Sequence, residues 1–361
     1  MPRCSLSMIV KDEEETLGRV LADASAFCDE LVVCDTGSTD RTREIAIEAG
    51  ATVIDFAWID DFAAARNASL DACTGDLVVW LDADDRVPPA AQAAFVQAIA
   101  QLEDGVDALI TPYHRAFNDR GEVTFVVLRE RVWRRSSGVR WEGAVHEVMD
   151  FTGHEVRQDD RLVVEHHKTA EQQARDVDRN LRILDNLYAG GDRTPRTLFY
   201  RANELRDHDR PADALGAYDE YLATDAPDWE RYDAMLSRGR MLLALERAVD
   251  ARASALQAVL LEPGRPEAWM AAGLTYYEVE DWERGAPFFA AATRCRTRPP
   301  LGFTFERDYT WAPWDYLSVC LGNSGRYREA VKAAERALPG NPEAPRVKQN
   351  LQWFRSQIKD R

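Results

Sequence analysis

Apolar runs alternate with helix-like segments over residues 1 to about 110. The strand-like runs cover residues 6–10, 30–34, 52–55, 77–81 and 108–110, and the helical patterns between them cover 15–27, 39–49, 61–72 and 88–102. This order of elements is typical of repeated βαβ units, whose strands form a parallel sheet with helices on its faces. The sequence therefore predicts an α/β, Rossmann-like N-terminal domain with a mostly parallel sheet.

The strand signal ends near residue 170, after a section at about 111–165 that is rich in short strands and in Trp, His and Glu. Helical patterns continue to the C-terminus and repeat in windows that start near residues 195, 232, 266 and 311. Small or apolar residues at fixed positions, such as Ala202, Leu205, Ala214 and Tyr218 in the first window, fit the tetratricopeptide pattern of stacked helix pairs. We expect an α/β domain at 1–168, a connecting helix at 169–194 and an all-α tetratricopeptide-repeat domain at 195–361.

Composition excludes some classes of function. The chain has 361 residues, a formal net charge of −17 and 45% hydrophobic residues, which is enough for two cores. The negative charge argues against a nucleic-acid partner. No apolar run is long enough for a transmembrane segment, and the N-terminal residues lack a signal-peptide pattern, so we expect a cytoplasmic protein. The six cysteines include no CxxC pair and predict neither a zinc site nor a disulfide framework.

Acidic residues follow the fourth apolar run. Asp82, Asp84 and Asp85 come directly after the strand-like residues 77–81. Ligands of open α/β sheets bind beyond the carboxyl ends of the strands, and carboxylate oxygens suit Mg²⁺ or Mn²⁺. A metal site beside a nucleotide diphosphate is one interpretation. The alternative is an ordinary helix N-cap, because Pro88 and Pro89 open the next helical pattern.

A second polar turn follows the second strand. Asp35 ends the strand-like run, and Gly37 allows the backbone of the turn to approach a ligand closely. A carboxylate at this position can accept hydrogen bonds from a nucleoside, and the N-terminus of the next helix favours phosphate. For Asp40 the better interpretation is a helix cap.

These motifs together resemble the family 2 glycosyltransferases with a GT-A fold. The resemblance rests on segments 7–14, 33–40, 59–67, 75–85 and 141–147. Within that family the chain is most similar to the subgroup that joins this domain to tetratricopeptide repeats, including enzymes that glycosylate Cys or Ser of ribosomally made peptides.

The resemblance implies an inverting transferase and assigns roles to several residues. The residues expected to bind the nucleotide sugar are Ile9, Val10, Glu13, Asp35, Gly37, Arg66, Asp82, Ala83, Arg131 and Trp141. Asp82 and Asp84 are expected to bind Mn²⁺ or Mg²⁺, with His166 or His167 as a further ligand. Because neighbouring strand residues face opposite sides, we expect only one of the two imidazoles, His166, to face the metal.

Inversion also requires a general base for the acceptor. Glu147 is the first candidate and Glu142 the second, with His146 as a residue that orients a partner or lines the site. A buried pair of His and Glu that only satisfies its own hydrogen bonds is the competing interpretation.

Three functions fit the sequence. The first is a metal-dependent transferase that moves a hexose, expected from UDP-glucose or a similar donor, to a peptide or protein that the repeats recruit. The second is transfer to a saccharide or to a lipid-linked envelope glycan. The third is an inactive repeat scaffold. The repeats also suggest a homodimer.

Overall fold

The computed structural model describes residues 2–118, 120–167, 177–298, 304–341 and 345–359. The chain separates into two compact units. The described residues up to 183 form the first unit, and the described residues from 184 onwards form the second.

The first unit alternates strands and helices in its N-terminal part, as the sequence predicts. Its elements are β1 (Cys4–Val10), α1 (Leu17–Ala24), β2 (Glu30–Asp35), α2 (Thr42–Glu48), β3 (Thr52–Asp55), α3 (Phe62–Ala72), β4 (Leu77–Trp80), β5 (Asp85–Arg86) and α4 (Pro89–Gln101). They continue with β6 (Ala108–Phe117), β7 (Val123–Arg134), β8 (Trp141–Glu142), β9 (Val148–Met149), β10 (Val156–Gln158) and β11 (Val164–His166).

The main sheet has the strand order β3-β2-β1-β4-β7-β6-β11-β5. The first four strands are parallel, whereas β7 runs antiparallel to both β4 and β6. The α/β class and the mostly parallel sheet are confirmed, because β10 and β11 also pair parallel with β6. The sheet is nevertheless mixed, and its β6–β7 pair is antiparallel. The reason is the short connection between β6 and β7, because only a long crossover allows parallel neighbours.

Alternate residues of each central strand enter cores on opposite faces of the sheet. On β4, Leu77 and Val79 join a core with helices α1 and α4, while Val78 and Trp80 join a second core with Trp133 and Trp141. Because side chains alternate between two faces that are both buried, the 77–81 run is apolar at every position. Trp141 lies in β8, which pairs with β9 as a separate two-stranded sheet.

Apart from the two-residue strand β12 (Thr304–Phe305), the regular elements described in the second unit are helices, which confirms the predicted all-α domain. After α5 (Arg179–Ala189) come α6 (Pro195–Asp207), α7 (Pro211–Leu222), α8 (Asp228–Ala244), α9 (Ala248–Leu261), α10 (Pro266–Tyr277), α11 (Trp282–Ala292), α12 (Glu306–Tyr309), α13 (Ala312–Asn323), α14 (Tyr327–Ala337) and α15 (Pro345–Lys359). Residues 168–176 of the expected domain boundary and connecting helix lie outside the described residues.

Helices that are consecutive in sequence pack against each other, as α6 does on α7 and α10 on α11. The small residues of the repeat pattern are required at these contacts. A Cβ on Gly273 would lie 2.8 Å from the Phe289 ring, so a larger residue would push the two helices apart. Among the described residues, none of the helices combines the length and apolar character of a membrane-spanning segment.

Candidate active site

Two loops at the carboxyl edge of the sheet are joined by hydrogen bonds. The loop after β1 contributes Asp12, whose carboxylate accepts from the Thr39 amide at 2.7 Å. At the end of β2, buried Asp35 accepts from the amide of Ser38 in the following loop at 3.1 Å and lies 3.3 Å from a guanidinium nitrogen of Arg43. Asp35 is therefore already engaged by its own turn.

The other predicted nucleoside-binding residues lie in the same two loops or at the strand ends. Ile9 and Val10 end β1, beside the last residues of β2, and the Val10 carbonyl accepts from the Thr36 amide at 3.0 Å. Glu13 precedes α1, and its amide donates to the hydroxyl of Thr42. Gly37 adopts a φ of 105°, and nothing lies within 4 Å of the position that a Cβ would occupy there.

Four side chains form an acidic cluster at the ends of β4 and β11. Asp82, Asp84, Asp85 and His166 each offer one ligand atom, and these four atoms lie within 4.8 Å of one another. Antiparallel pairing of β5 with β11 sets His166 opposite Asp85. Residues that are about 80 positions apart in sequence therefore meet at one point.

The base of this cluster is fully buried. Asp85 and Arg131 are both inaccessible to solvent, with 3.3 Å between a carboxylate oxygen and a guanidinium nitrogen. The hydroxyl of Tyr113 donates to Asp85 at 2.7 Å and lies 2.8 Å from Nδ1 of His166. The Arg131 guanidinium stacks 3.6 Å from the centre of the Trp80 ring. Asp85 is thus held by its neighbours, whereas the Asp82 side chain keeps 29% of its exposure.

The charges of the cluster change the protonation of His166. Burial lowers the pKa of this imidazole, but its hydrogen bonds to Asp84 and Asp85 raise the pKa to about 9. The second ring nitrogen, Nε2, is buried without a hydrogen-bond partner. Three carboxylates and one imidazole whose ligand atoms lie within 4.8 Å of one another have the donor chemistry of a divalent-cation site, and a bound cation would displace the proton of the imidazole. The residues therefore fit the Mn²⁺ or Mg²⁺ that the sequence predicts.

Arg66 connects this cluster to the candidate base. Its Nη2 donates to Asp82 at 2.7 Å and its Nε donates to Glu147. The guanidinium also lies 4.8 Å from the centres of both the Trp80 and Trp141 rings. Burial alone would raise the pKa of each carboxyl group, but Arg66 holds the pKa of Asp82 and of Glu147 below its ordinary value. Both acids are therefore ionised at neutral pH.

A reciprocal pair of hydrogen bonds fixes Trp141 relative to α3. The amide nitrogen of Asn67 donates to the Trp141 carbonyl at 2.9 Å, and the Trp141 backbone amide donates to Oδ1 of Asn67 at 3.0 Å. Asp61 caps the same helix through the Ala64 amide at 2.9 Å. These hydrogen bonds fix the position of the helix that carries Arg66 relative to the segment that carries Glu147.

The remaining predicted residues are not part of this network. Glu142 is exposed on β8, and His146 is exposed with a φ of 55°. His167 lies outside the acidic cluster, where it pairs with Glu165 at 3.0 Å and stacks on Phe117. Ala83 is buried beside the cluster at 6% exposure.

The sequence analysis does not predict two residues of the site, Tyr113 and Arg129. Tyr113 is the hydrogen-bond partner of Asp85, and Arg129 lies 5.0 Å from the Trp80 ring and donates to the Glu147 carbonyl at 3.3 Å. Both lie on the long β6 and β7 hairpin. The sequence signal for both residues is the alternation of side chains along β6 and β7. That alternation shows which face of the sheet a residue lies on only when the register of the strands is known.

The fold and the acidic site together define an α/β domain of the glycosyltransferase A class. Residues 5–152 match the model of the Glycosyl transferase family 2. Residues 5–152 therefore form a family 2 glycosyltransferase domain, and the packed helices of the second unit follow it in the chain.

Curated relatives are similar over parts of the chain. A tetratricopeptide repeat-containing protein of Synechococcus elongatus is 41% identical over 150 residues, which are 42% of this chain and 36% of that protein. The prophage-derived glycosyltransferase SunS of Bacillus subtilis is 22% identical over 69% of this chain and 61% of its own. The glucosyl-3-phosphoglycerate synthase of Mycolicibacterium paratuberculosis is 33% identical over 30% of this chain and 36% of its own. The chain thus spans less than two thirds of the length of each of these relatives.

Proposed function

We propose that the protein is a metal-dependent, inverting glycosyltransferase that uses a nucleotide sugar, with UDP-glucose or a similar UDP-hexose as the donor. The observation that carries this proposal is the meeting of Asp82, Asp84, Asp85 and His166 at the carboxyl edge of the sheet. Ligands of α/β sheets bind at this edge. Asp35 and the strand-end residues Ile9 and Val10 lie along the same edge and are proposed to hold the nucleoside.

Asp82, Asp84 and His166 are the proposed metal ligands, with Asp85 as the buried group that holds them in place. A divalent ion held by these residues would supply Lewis-acid chemistry to the leaving diphosphate. Arg66 and Arg131 add fixed positive charge beside the same carboxylates. Since negative charge grows on the diphosphate as the glycosidic bond breaks, positive groups at this place stabilise the transition state.

Glu147 is the proposed base that accepts the acceptor's proton. Its carboxylate is paired with Arg66, which keeps it ionised but weakly basic. A diphosphate competes with Glu147 for the Arg66 guanidinium. Binding of the donor would weaken the pair and raise the basicity of Glu147 when the acceptor needs a base. His146 and the exposed Glu142 are proposed to line the acceptor side.

The acceptor is proposed to be a peptide or protein that the helical repeats recruit, in the cytoplasm. A stack of helix pairs presents an extended surface that suits peptide segments. A saccharide or lipid-linked glycan acceptor, and an inactive repeat scaffold, are the competing proposals. Intact acidic residues at the end of β4 favour the enzyme over the scaffold.

The helical unit also carries a surface that suits a second copy of the chain. Val249, Ala253, Leu256 and Leu260 are all exposed on α9, and Leu260 retains 82% of its exposure. Their spacing of four, three and four residues is the 3.5-residue repeat of a helix-packing seam. Such a stripe can pack against its own copy across a two-fold axis, so we propose a homodimer through this helix.

The test is calorimetric titration of the full chain with UDP-glucose and other nucleotide sugars, with and without Mn²⁺. Asp82→Asn and Asp84→Asn should each weaken metal-dependent binding by at least about tenfold, because each removes a charged ligand. Asp104→Asn is the matched control, since Asp104 is an exposed carboxylate of the same unit. Absence of donor binding under all conditions would favour the scaffold. Equal loss in the Asp104 variant would contradict the assignment of the metal ligands.

A further inference from the structure

A pocket of about 600 Å³ lies within the helical unit. Its walls come from the C-terminal end of α11 and the residues after it, from α13 and from the last turn of α14. The lining residues are Ala290, Thr293, Arg294, Arg296, Trp314, Leu317 and Arg336. The volume falls within the range of ligand-binding pockets, about 300–1,000 Å³.

The pocket is positively charged in a strongly acidic protein. Arg294, Arg296 and Arg336 line it, and in the described part of the chain no carboxylate lies within 4.0 Å of their guanidinium groups. Several other exposed arginines of this unit are paired, for example Arg326 with Glu329 and Arg355 with Glu335. Three uncompensated cations at one place therefore create a local positive field against a net charge of −17.

The guanidinium groups are held in different ways. Arg296 donates from Nη1 to the Thr293 carbonyl at 2.9 Å, which fixes its position against the end of α11. The Arg336 guanidinium lies 4.6 Å from the centre of the Trp314 ring, a cation–π contact that leaves its N–H groups free for a ligand. Preorganised arginines of this kind bind carboxylates with two parallel hydrogen bonds.

The remaining walls are apolar and restrict the ligand further. Trp314, Leu317 and Ala290 present aromatic and aliphatic surface beside the arginines. A small anion alone would leave that surface in water. A ligand that carries an apolar side chain next to a carboxylate would cover both kinds of wall. A long polyanion such as nucleic acid fits poorly, because the rest of the protein repels it.

We propose that this pocket binds an acidic peptide segment in which Glu or Asp alternates with aromatic or aliphatic residues. The inference rests on the proposed function, since it identifies the segment as part of the acceptor polypeptide. It gives the repeats a defined role: they hold the acceptor by a segment that is not itself glycosylated. Specificity for the acceptor then depends on residues far in sequence from Asp82 and Glu147.

The experiment uses fluorescence anisotropy of the full chain with a labelled peptide Gly-Glu-Leu-Glu-Phe-Glu-Gly, and with its Lys-for-Glu counterpart. Binding of the acidic peptide alone is expected, and it should weaken as salt is added. Arg294→Gln and Arg336→Gln should each reduce the affinity about tenfold, as expected for loss of a charged hydrogen-bonding pair. Arg328→Gln is the matched control, because Arg328 is an exposed residue of the same helix as Arg336 and does not line the pocket.

Three outcomes would overturn the proposal. They are equal binding of the two peptides, equal loss of affinity in the Arg328 variant, and complete displacement of the peptide by millimolar inorganic phosphate, which would identify a phosphate site instead. The UDP-glucose titration of the same samples separates this test from the proposed function. Peptide binding without donor binding would contradict the proposed transferase function and support the peptide-binding pocket. Donor binding without peptide binding would support the transferase function and contradict the peptide-binding pocket.

Discussion

The Arg66 guanidinium lies 2.7 Å from the Asp82 carboxylate and spans the space between the end of β4 and the segment that carries Glu147. Only 8% of the Arg66 side chain is exposed. One cation therefore neutralises two acids that would otherwise repel each other in a buried environment. The proposed diphosphate and the proposed base both depend on this residue.

Replacing Arg66 with Ala should be strongly destabilising. The change leaves Asp82 and Glu147 without their counter-ion, and breaking a buried ion pair from one side typically costs about 3–5 kcal/mol. Thermal unfolding followed by circular dichroism measures the loss. Arg140→Ala serves as the control, because Arg140 forms an exposed pair with Asp71 that should contribute less than about 1 kcal/mol. Similar losses in the two variants would contradict the role given to Arg66.

Asn67→Asp should loosen the segment around Trp141 without changing its volume. An Asp at this position still accepts from the Trp141 amide but no longer donates to the Trp141 carbonyl, and it sets a negative charge against that oxygen. We expect a loss of about 2 kcal/mol in stability together with weaker donor binding, because Arg66 packs on the Trp141 ring. Calorimetric titration with UDP-glucose gives the second quantity. Asn118→Asp, in the exposed turn between β6 and β7, should leave donor binding unchanged.

The sequence predicts the elements of this site better than their pairing. The apolar run before Asp82 and the turn at Asp35 identify strand ends because strand periodicity and turn residues are local signals. The contacts of Asp85 with Tyr113 and His166 depend on the order β7-β6-β11-β5, which joins strands up to 81 residues apart. No local pattern fixes that order or its register.

The same distinction applies to His166, the last residue of β11, and to His167, which follows it. Alternation along a strand predicts that His166 and His167 face opposite ways, and the structure has His166 in the acidic cluster and His167 against Phe117. Which of the two faces the carboxylates depends on antiparallel pairing with β5, where His166 is opposite Asp85. The period of two along the strand predicts that the two imidazoles face opposite sides, whereas the strand pairing determines which of them faces the carboxylates.

Asp233 should make the helical unit less stable as the pH rises. Burial raises the pKa of this carboxyl group to about 6, although Arg265 lies 3.5 Å away and opposes the shift. The folded state therefore holds the proton more tightly than the unfolded state, whose Asp pKa is about 3.9. The corresponding stability is present below about pH 4 and is lost as the pH rises through about 6.

Asp233→Asn should remove this dependence and raise the stability at pH 8 by about 1–3 kcal/mol, since the amide carries no charge to bury. Unfolding temperatures between pH 4 and 8 give the comparison. Asp250→Asn changes an exposed carboxylate that is paired with Arg247 and should show no such gain. An Asp233 variant whose stability follows the pH profile of the unmodified protein would contradict the raised pKa.

Leu260→Glu should disrupt the proposed homodimer. A charge at the most exposed position of the α9 stripe would have to be desolvated when two copies pack, which opposes association. Light scattering over a range of concentrations should show a dimer for the unmodified protein and a monomer for the variant. Gln257→Glu adds the same charge to an exposed position of the same helix, beside the stripe rather than in it, and should remain dimeric. A monomeric unmodified protein, or equal dissociation of both variants, would show that α9 does not form the interface.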